Sequence, residues 1–189
     1  NKIKFLTLFA FSTENWGRSK NEVKALMELF VKAMQEETPQ LIENFVRVNF
    51  IGDINRLEKA IINKIIKTKG LTNDYEPKMN LNIAISYGGR WDIVQAIKEI
   101  SKDLSKKKIK EKNINEDLLS SYLDTSNFPD PDLVIRTGNE KRLSNFLIWQ
   151  AAYSELIFLK KLWPDFKNTD FKRALDEYKR RKRNFGLRS

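Results

Sequence analysis

The sequence predicts an α/β fold, a single domain with a central parallel sheet flanked by helices. Strand-like segments alternate with stretches of helical periodicity, which is typical of a parallel sheet with right-handed crossovers. The first and last of these segments are nearly continuous apolar runs, as expected of strands buried on both faces. The four segments are residues 3–11, 46–51, 81–85 and 133–135. We expect one domain over residues 1–189.

Apolar stripes at helical spacing predict the helices. The first stripe follows a capping box formed by Ser19 and Glu22 and consists of Val23, Leu26, Met27, Phe30, Val31 and Met34. The second consists of Ile93, Ile97, Ile100 and Leu104. The third follows Thr169, a candidate N-cap, and consists of Phe171, Ala174, Leu175 and Tyr178.

Two further segments have weaker patterns. Residues 101–117 are rich in Lys and weakly periodic, so we expect a helix end that runs into an exposed loop. Residues 142–155 become apolar on all sides after Arg142 and Ser144, which predicts a buried helix. Glu155 lies at the end of this segment, and a buried carboxylate there would suit Mg²⁺, which prefers oxygen ligands.

Composition restricts the chemistry. The 189 residues include neither Cys nor His, which excludes disulfides, a thiol nucleophile, a histidine base and a His-ligated metal within the sequence. Lys and Arg (35) exceed Asp and Glu (25), for a net charge of +10. This balance favours nucleic acid, a phosphorylated small molecule or an acidic membrane surface as partner. Lysines that serve only solubility are the alternative.

A polar cluster follows each predicted strand. The clusters are residues 12–16 with Arg18, 52–53, 86–90, and 136–142 with Ser144; three of the four contain Gly and three contain Arg. Gly lets backbone N–H groups approach an oxyanion, and Arg forms bidentate contacts with phosphate. Because ligands bind at the carboxyl edge of a parallel sheet, we interpret the clusters as a phosphate or diphosphate site. Ordinary turns with solvated arginines are the alternative.

Four blocks of the sequence resemble the cis-prenyltransferase family. They are residues 6–22 (LTLFAFSTENWGRSKNE), 50–57 (FIGDINRL), 81–93 (LNIAISYGGRWDI) and 131–166, which contains IRTGNEKRLSNFL. Residues 183–186 resemble its basic C-terminal signature. The resemblance implies the family's fold, Mg²⁺, a homodimer, and repeated cis condensation of isopentenyl diphosphate onto an allylic diphosphate such as farnesyl diphosphate. The resemblance to the bacterial branch implies undecaprenyl diphosphate as the product, for the lipid carrier of cell-wall synthesis.

The resemblance also implies roles for individual residues. Asn15 matches the residue assigned to proton removal; because a neutral amide is a poor base, we expect it to orient a proton acceptor such as the leaving diphosphate. Glu155 matches the Mg²⁺ ligand. Substrate binding is implied for Ser12, Thr13, Glu14, Trp16, Arg18, Glu22, Arg136, Arg142, Leu143 and Ser144. Positions that resemble the lining of a product tunnel are Leu8, Ala10, Leu26, Leu29 and Phe30, for which an ordinary core is the alternative.

The sequence also departs from the family pattern. The family's N-terminal block, an Asp-Gly-Asn phosphate loop that supplies a catalytic aspartate, is absent from the 189 residues. We therefore expect the chain to be N-terminally incomplete and nearly inactive by itself. Smaller departures are Ser86, Asn139, Lys141 and Asn184, which replace residues common in the family.

Alternative functions remain open at this point. A non-catalytic partner subunit of a prenyltransferase would suit the missing aspartate. A nucleic-acid-binding module would use the basic run 179–183, with Trp16 and Tyr87 stacking on bases. The same basic run would attract an anionic bilayer, unless it is a solvated helix end. We expect a cytoplasmic enzyme with peripheral contact at the inner face of the membrane and without a nucleic-acid partner.

Overall fold

The computed structural model describes residues 3–182, which form two compact units that meet in sequence at Pro129 and Asp130. In the first unit, the strands are β1 (Phe5–Ser12), β2 (Val46–Ile51) and β3 (Met79–Tyr87), and the helices are α1 (Lys20–Glu43), α2 (Lys59–Leu71), α3 (Gly89–Ser105) and α4 (Glu116–Tyr122). The second unit contains β4 (Leu133–Arg136), β5 (Glu155–Phe158) and α5 (Asn168–Arg180). That residues 1–189 constitute one domain stays a prediction.

The first unit confirms a parallel sheet flanked by helices. Its three strands run in the order β1-β3-β2, all parallel. Ser12 pairs with Tyr87 and Ile51 pairs with Ala84, so the three carboxyl ends lie at one edge. Short 3-10 helices, Thr13–Gly17 and Ile54–Arg56, follow β1 and β2 at that edge.

The first predicted helix is confirmed as α1. Ser19 is its N-cap, and the Ser19 hydroxyl accepts the backbone N–H of Glu22 at 3.3 Å. The buried side of α1 packs with α2 and the sheet around one apolar cluster, which anchors the edge that follows β1. The buried members of this cluster are Phe11, Met27, Met34, Leu57, Ile61, Ile65 and Ile85.

The second unit contains a parallel pair, β4 and β5, followed by α5. Here the prediction of a buried helix over residues 142–155 is wrong. Ser144, Asn145 and Leu147 have φ angles of 50°, 64° and 45°, which a right-handed helix does not allow. The segment instead forms a succession of turns, and β5 begins at Glu155.

The predicted stripes on α3 and α5 need small corrections. Ile97 is 53% exposed, because the buried side of α3 is formed by Asp92, Ala96 and Ile100. Thr169 lies inside α5 instead of capping it. The Asp170 carboxylate accepts the backbone N–H of Lys167 at 3.0 Å and so stabilises the first turn.

Three elements were not predicted from the sequence, namely α2, α4 and β5. The Lys-rich segment 101–117 ends α3 and turns into the start of α4. Within residues 3–182, no helix combines the length and apolar character that crossing a membrane requires.

Candidate active site

The segment after β1 forms a tight turn held by its own side chains. The backbone N–H of Ser12 donates to Asn15 Oδ1 at 2.9 Å, and Thr13 Oγ1 donates to Glu14 Oε2 at 3.0 Å. The amide oxygen of Asn15 is therefore engaged within the turn. This bond fixes the orientation of the amide, which suits an orienting role.

Trp16 links this turn to the ends of the other two strands. Its indole Nε1 donates to Ser86 Oγ at 2.9 Å. Its ring lies edge-on to Phe11 at 5.1 Å between ring centroids. The guanidinium of Arg56, at the end of the 3-10 helix after β2, lies 4.8 Å from the Trp16 ring centroid. Ser86 is fully buried and has a φ angle of 51°.

Gly52 fixes the turn after β2 against β3. It has a φ angle of +117°, and a Cβ at this position would lie 2.1 Å from the carbonyl oxygen of Ile85. The next backbone N–H, of Asp53, donates to the carbonyl of Ser86 at 3.1 Å. Only glycine allows this approach of the two chains, so Gly52 determines where the residues that follow β2 lie.

The buried Asp92 and the more exposed Asp124 support the same turn through hydrogen bonds. Asp92 Oδ2 accepts the Tyr87 hydroxyl at 3.0 Å, and Asp92 Oδ1 accepts the backbone N–H of Asp124 at 2.9 Å. Asp124 Oδ2 in turn accepts the Gly52 N–H at 2.8 Å. Burial, and then the negative charges of Asp92 and Asp53, raise the pKa of Asp124, although its bond with Gly52 opposes the shift.

Arg56 and Asp124 are functional candidates that the sequence patterns do not indicate. Arg56 lies within the FIGDINRL block but three residues beyond Asp53, where the predicted cluster ended. Asp124 does not follow a strand and belongs to no periodic pattern. Only the fold brings it near Gly52, which is 72 residues away in the sequence.

Arg18 and Glu22 form an ion pair at 2.8 Å between Nη1 and Oε1. Both side chains are about half exposed, at 47% and 49%. Exposed pairs of this kind contribute little to stability. A phosphate could therefore replace the Glu22 carboxylate at a small cost, and Arg18 is suited to an anionic ligand.

The candidate tunnel residues have mixed environments. Leu26 and Phe30 pack against the buried apolar cluster, and the Phe30 ring lies edge-on to Phe50 at 6.4 Å. Leu8 is half-buried, Ala10 is exposed, and Leu29 is 62% exposed. Leu26 and Phe30 thus belong to the packed core of the first unit, and a tunnel lined by the five residues stays a prediction.

In the second unit, the segment after β4 offers donors and strained backbone. The Nε of Arg136, the last residue of β4, is buried and has no hydrogen-bond partner within residues 3–182. Gly138 and Asn139 follow with φ angles of 84° and 60°. Arg142 forms an ion pair with the exposed carboxylate of Glu140, and Ser144 has a positive φ.

Glu155 is half-buried and already has a cationic partner. Arg181 Nη1 donates to Glu155 Oε2 at 2.8 Å and to the carbonyl of Leu156 at 3.0 Å, while its Nη2 donates to Glu177 Oε1 at 2.5 Å. The bonds with both carboxylates raise the pKa of Arg181. Together they connect the end of α5 to β5.

The donor set around Glu155 limits a metal site. In the part of the chain that the structure describes, no three acidic side chains gather in a way that could hold a metal ion. Mg²⁺ bound with substrate phosphates needs only one or two carboxylates. Glu155 fits that requirement, because Arg181 engages its Oε2 and leaves Oε1.

Comparisons with known proteins agree with the sequence blocks. The Prenyltransf family profile, described as "Putative undecaprenyl diphosphate synthase", matches residues 1–186. The chain belongs to the undecaprenyl diphosphate synthase family.

Individual relatives extend this assignment. An isoprenyl transferase of Clostridium tetani is 47% identical over 184 residues, which are 97% of this chain and 72% of that protein. The ditrans,polycis-undecaprenyl-diphosphate synthase ((2E,6E)-farnesyl-diphosphate specific) of Haemophilus influenzae is 44% identical and covers 97% of this chain and 77% of its own. Lavandulyl diphosphate synthase from Lavandula x intermedia, solved in complex with dimethylallyl diphosphate, superposes with a TM-score of 0.94 at 36% identity, covering 97% of this chain and 79% of that chain.

Membership of the undecaprenyl diphosphate synthase family confirms the predicted resemblance and the α/β class with its parallel strands. It also gives the family's chemistry, prenyl transfer, as the frame for the geometry above. The roles of the individual residues stay predictions. Residues 183–186, which resemble the family's C-terminal signature, lie outside the described residues.

Proposed function

We propose that this chain catalyses cis-prenyl chain elongation, in which isopentenyl diphosphate is added repeatedly to farnesyl diphosphate to give undecaprenyl diphosphate. The observation that carries the proposal is the family match over residues 1–186. In each addition, the allylic C–O bond breaks and diphosphate leaves with the electron pair. The terminal alkene carbon of isopentenyl diphosphate forms the new C–C bond with its π electrons, and positive charge develops on the neighbouring alkene carbon. Loss of a proton from the carbon between that cation and the diphosphate-bearing carbon then leaves its electron pair as the new double bond.

The edge formed by β1, β3 and β2 would bind the allylic diphosphate. Arg18 would exchange its exposed partner Glu22 for a phosphate oxygen and stabilise the charge that develops on the leaving group. Asn15, whose Oδ1 is held by the Ser12 N–H, would present its amide N–H groups to the leaving diphosphate. The diphosphate would then be oriented as the acceptor of the substrate proton. Thr13, Glu14 and Trp16 would maintain the turn around it.

The segment after β4 would bind isopentenyl diphosphate. The buried, unpartnered Nε–H of Arg136 is a donor that an anion would satisfy, since a buried donor without a partner is costly. Arg142 would add a second guanidinium after leaving Glu140, and the Ser144 hydroxyl a neutral donor. Leu143 lies between these two residues and would contact the hydrocarbon part.

Mg²⁺ would be held by Glu155 together with a substrate diphosphate, and it would supply neutralisation of phosphate charge. Arg181 would keep the Glu155 carboxylate in place at the start of β5. We also propose that the chain acts as a homodimer in the cytoplasm.

The proposed membrane contact through the basic run is restricted by ion pairs. Lys179 pairs with Asp176 at 3.1 Å, and Arg181 pairs with Glu155 and Glu177. Within residues 179–182 of the basic run, Arg180 and Lys182 would be the cations that contact an anionic bilayer. Co-sedimentation with anionic vesicles should fall when both are changed to Gln, and an unchanged fraction would contradict this contact.

The test of the proposed function combines binding with turnover. Binding of isopentenyl diphosphate is measured by calorimetry, and elongation is followed with radiolabelled isopentenyl diphosphate and farnesyl diphosphate. Both are measured for the 189-residue chain and for the same chain preceded by the N-terminal block of the Clostridium tetani relative. We expect binding by both and long-chain product mainly from the extended protein. Binding without product from either would favour a non-catalytic subunit, and the absence of binding would refute the proposal.

A further inference from the structure

Arg56 is a cation at the carboxyl edge of the first sheet that the site described so far does not use. It ends the 3-10 helix Ile54–Arg56, which follows β2, the strand beside β3. Its side chain is exposed, and its guanidinium lies over the Trp16 ring at 4.8 Å from the centroid. No carboxylate of the described residues lies within ion-pair distance of Arg56. In this respect Arg56 differs from Arg18, which is paired with Glu22.

Stacking on an indole prepares an arginine for an anion. A guanidinium attracted to the face of an aromatic ring keeps its N–H donors, which can form bidentate bonds with phosphate. The contact also restricts a long side chain in advance, so less conformational entropy is lost when an anion binds. Arg56 is therefore a charged group that is held in place but keeps its donors.

The platform under Arg56 is itself fixed. The indole of Trp16 donates to Ser86, which is fully buried, and packs edge-on against Phe11, which is 3% exposed. Trp16 and Arg18 belong to one short turn and its cap, Thr13–Gly17 followed by Arg18. Arg18, which would hold the diphosphate, thus lies two residues after the tryptophan whose ring Arg56 contacts.

We propose that Arg56 is a further substrate-binding residue, which contacts the diphosphate of the allylic substrate while it is stacked on Trp16. The proposal rests on the proposed function, because it assumes that the turn after β1 binds this substrate. Under this proposal, Arg56 of the FIGDINRL block strengthens the binding of the allylic diphosphate and not that of isopentenyl diphosphate.

The test compares ligands with and without the diphosphate. Binding of farnesyl diphosphate, farnesol and isopentenyl diphosphate is measured by calorimetry, each alone, for the 189-residue chain and for Arg56→Met, Arg56→Lys and Lys67→Gln. Lys67 is exposed on α2 and controls for the loss of one positive charge. Arg56→Met removes the guanidinium but keeps an unbranched stem over the ring.

The loss of one charge-assisted contact weakens binding about tenfold at an accessible site. We expect this loss for farnesyl diphosphate with Arg56→Met, a smaller loss with Arg56→Lys, and changes below about twofold for farnesol, for isopentenyl diphosphate and for Lys67→Gln. Equal weakening of farnesol and farnesyl diphosphate would mean that Arg56 only supports Trp16, and unchanged farnesyl diphosphate binding would mean no role; either overturns the proposal. If the unmodified chain binds no diphosphate, the proposed function fails with it.

Discussion

Replacing Gly52 by alanine tests whether close chain approach fixes the site edge. The added Cβ would lie 2.1 Å from the carbonyl oxygen of Ile85, a backbone atom in the central strand β3. Contacts below 3.0 Å are essentially never adopted by real Cβ atoms, so the turn or the strand has to move. Ile85 is fully buried, which leaves the turn as the part that shifts.

The cost has two contributions. A non-glycine residue held at a φ angle of +117° costs about 1–3 kcal/mol. Forcing an extra carbon into a packed region costs about another 1–3 kcal/mol. The expected loss is thus about 2–6 kcal/mol, a large fraction of the stability of an ordinary domain, which is about 5–15 kcal/mol.

Urea unfolding followed by circular dichroism measures this loss. With a dependence of about 2 kcal/mol per molar urea, the middle of the usual range, the midpoint should fall by roughly 1–3 M. Gly70→Ala is the matched control, because Gly70 lies in α2 and a Cβ there meets nothing within 4 Å. Helix propensity predicts that this control is neutral or up to about 1 kcal/mol more stable. A Gly52→Ala midpoint within about 0.5 M of the unmodified chain would refute the reasoning.

Three other changes test the charged groups. Burial raises the pKa of Asp124, so the folded chain binds the proton of this carboxyl more tightly than the unfolded chain does. The stability of the folded chain therefore falls as the pH rises from the ordinary pKa of an aspartate to the raised pKa of Asp124. Asp124→Asn should flatten that fall in urea titrations taken between about pH 4 and pH 7. The hydrogen bond with Lys161 lowers the pKa of Asp170, so its stabilisation is complete above the ordinary pKa and is lost as the pH falls through the lowered one; Asp170→Asn should be less stable at neutral pH and converge with the unmodified chain in acid, and a constant difference would contradict the assignment. Arg181→Met leaves the half-buried Glu155 unpaired and should cost about 1–2 kcal/mol at neutral pH; adding Glu155→Gln should restore part of this, and no recovery would indicate that only packing was lost.

The sequence predicts the strands and the main helices well, because their signal is local. The bounds 46–51 match β2, and the stripe after Ser19 lies within α1. The prediction of a helix over residues 142–155 fails for a physical reason, because a segment that is apolar on all sides fits buried turns as well as a buried helix. The deciding feature is backbone torsion at Ser144, Asn145 and Leu147, none of which is a glycine that would have indicated a turn.

The site was predicted in its residue types better than in its contacts. Periodicity and motifs locate Trp16 and Arg18 after a strand, but they do not indicate that Arg56 stacks on Trp16 or that Ser86 accepts its indole N–H. Such contacts depend on the order β1-β3-β2, which places the segment after β2 beside residues that precede it by about forty positions in the sequence. A motif search therefore finds the residues of the first strand end and misses those of its spatial neighbours.

The positive φ angles have a distribution that bears on function. In the described chain, several of them lie at or shortly after the end of a strand, at Gly52 after β2, at Ser86 within the last two residues of β3, and at Gly138 and Asn139 after β4. Non-glycine residues in this region are strained, and strain of this kind persists only where the surrounding structure enforces it. The positive φ angle of Ser86 is enforced by the burial of this residue and by its hydrogen bond with Trp16. Ser86→Gly should therefore relieve the backbone strain and remove the acceptor of the indole N–H. The strain at this residue is therefore coupled to the orientation of the ring on which Arg56 stacks.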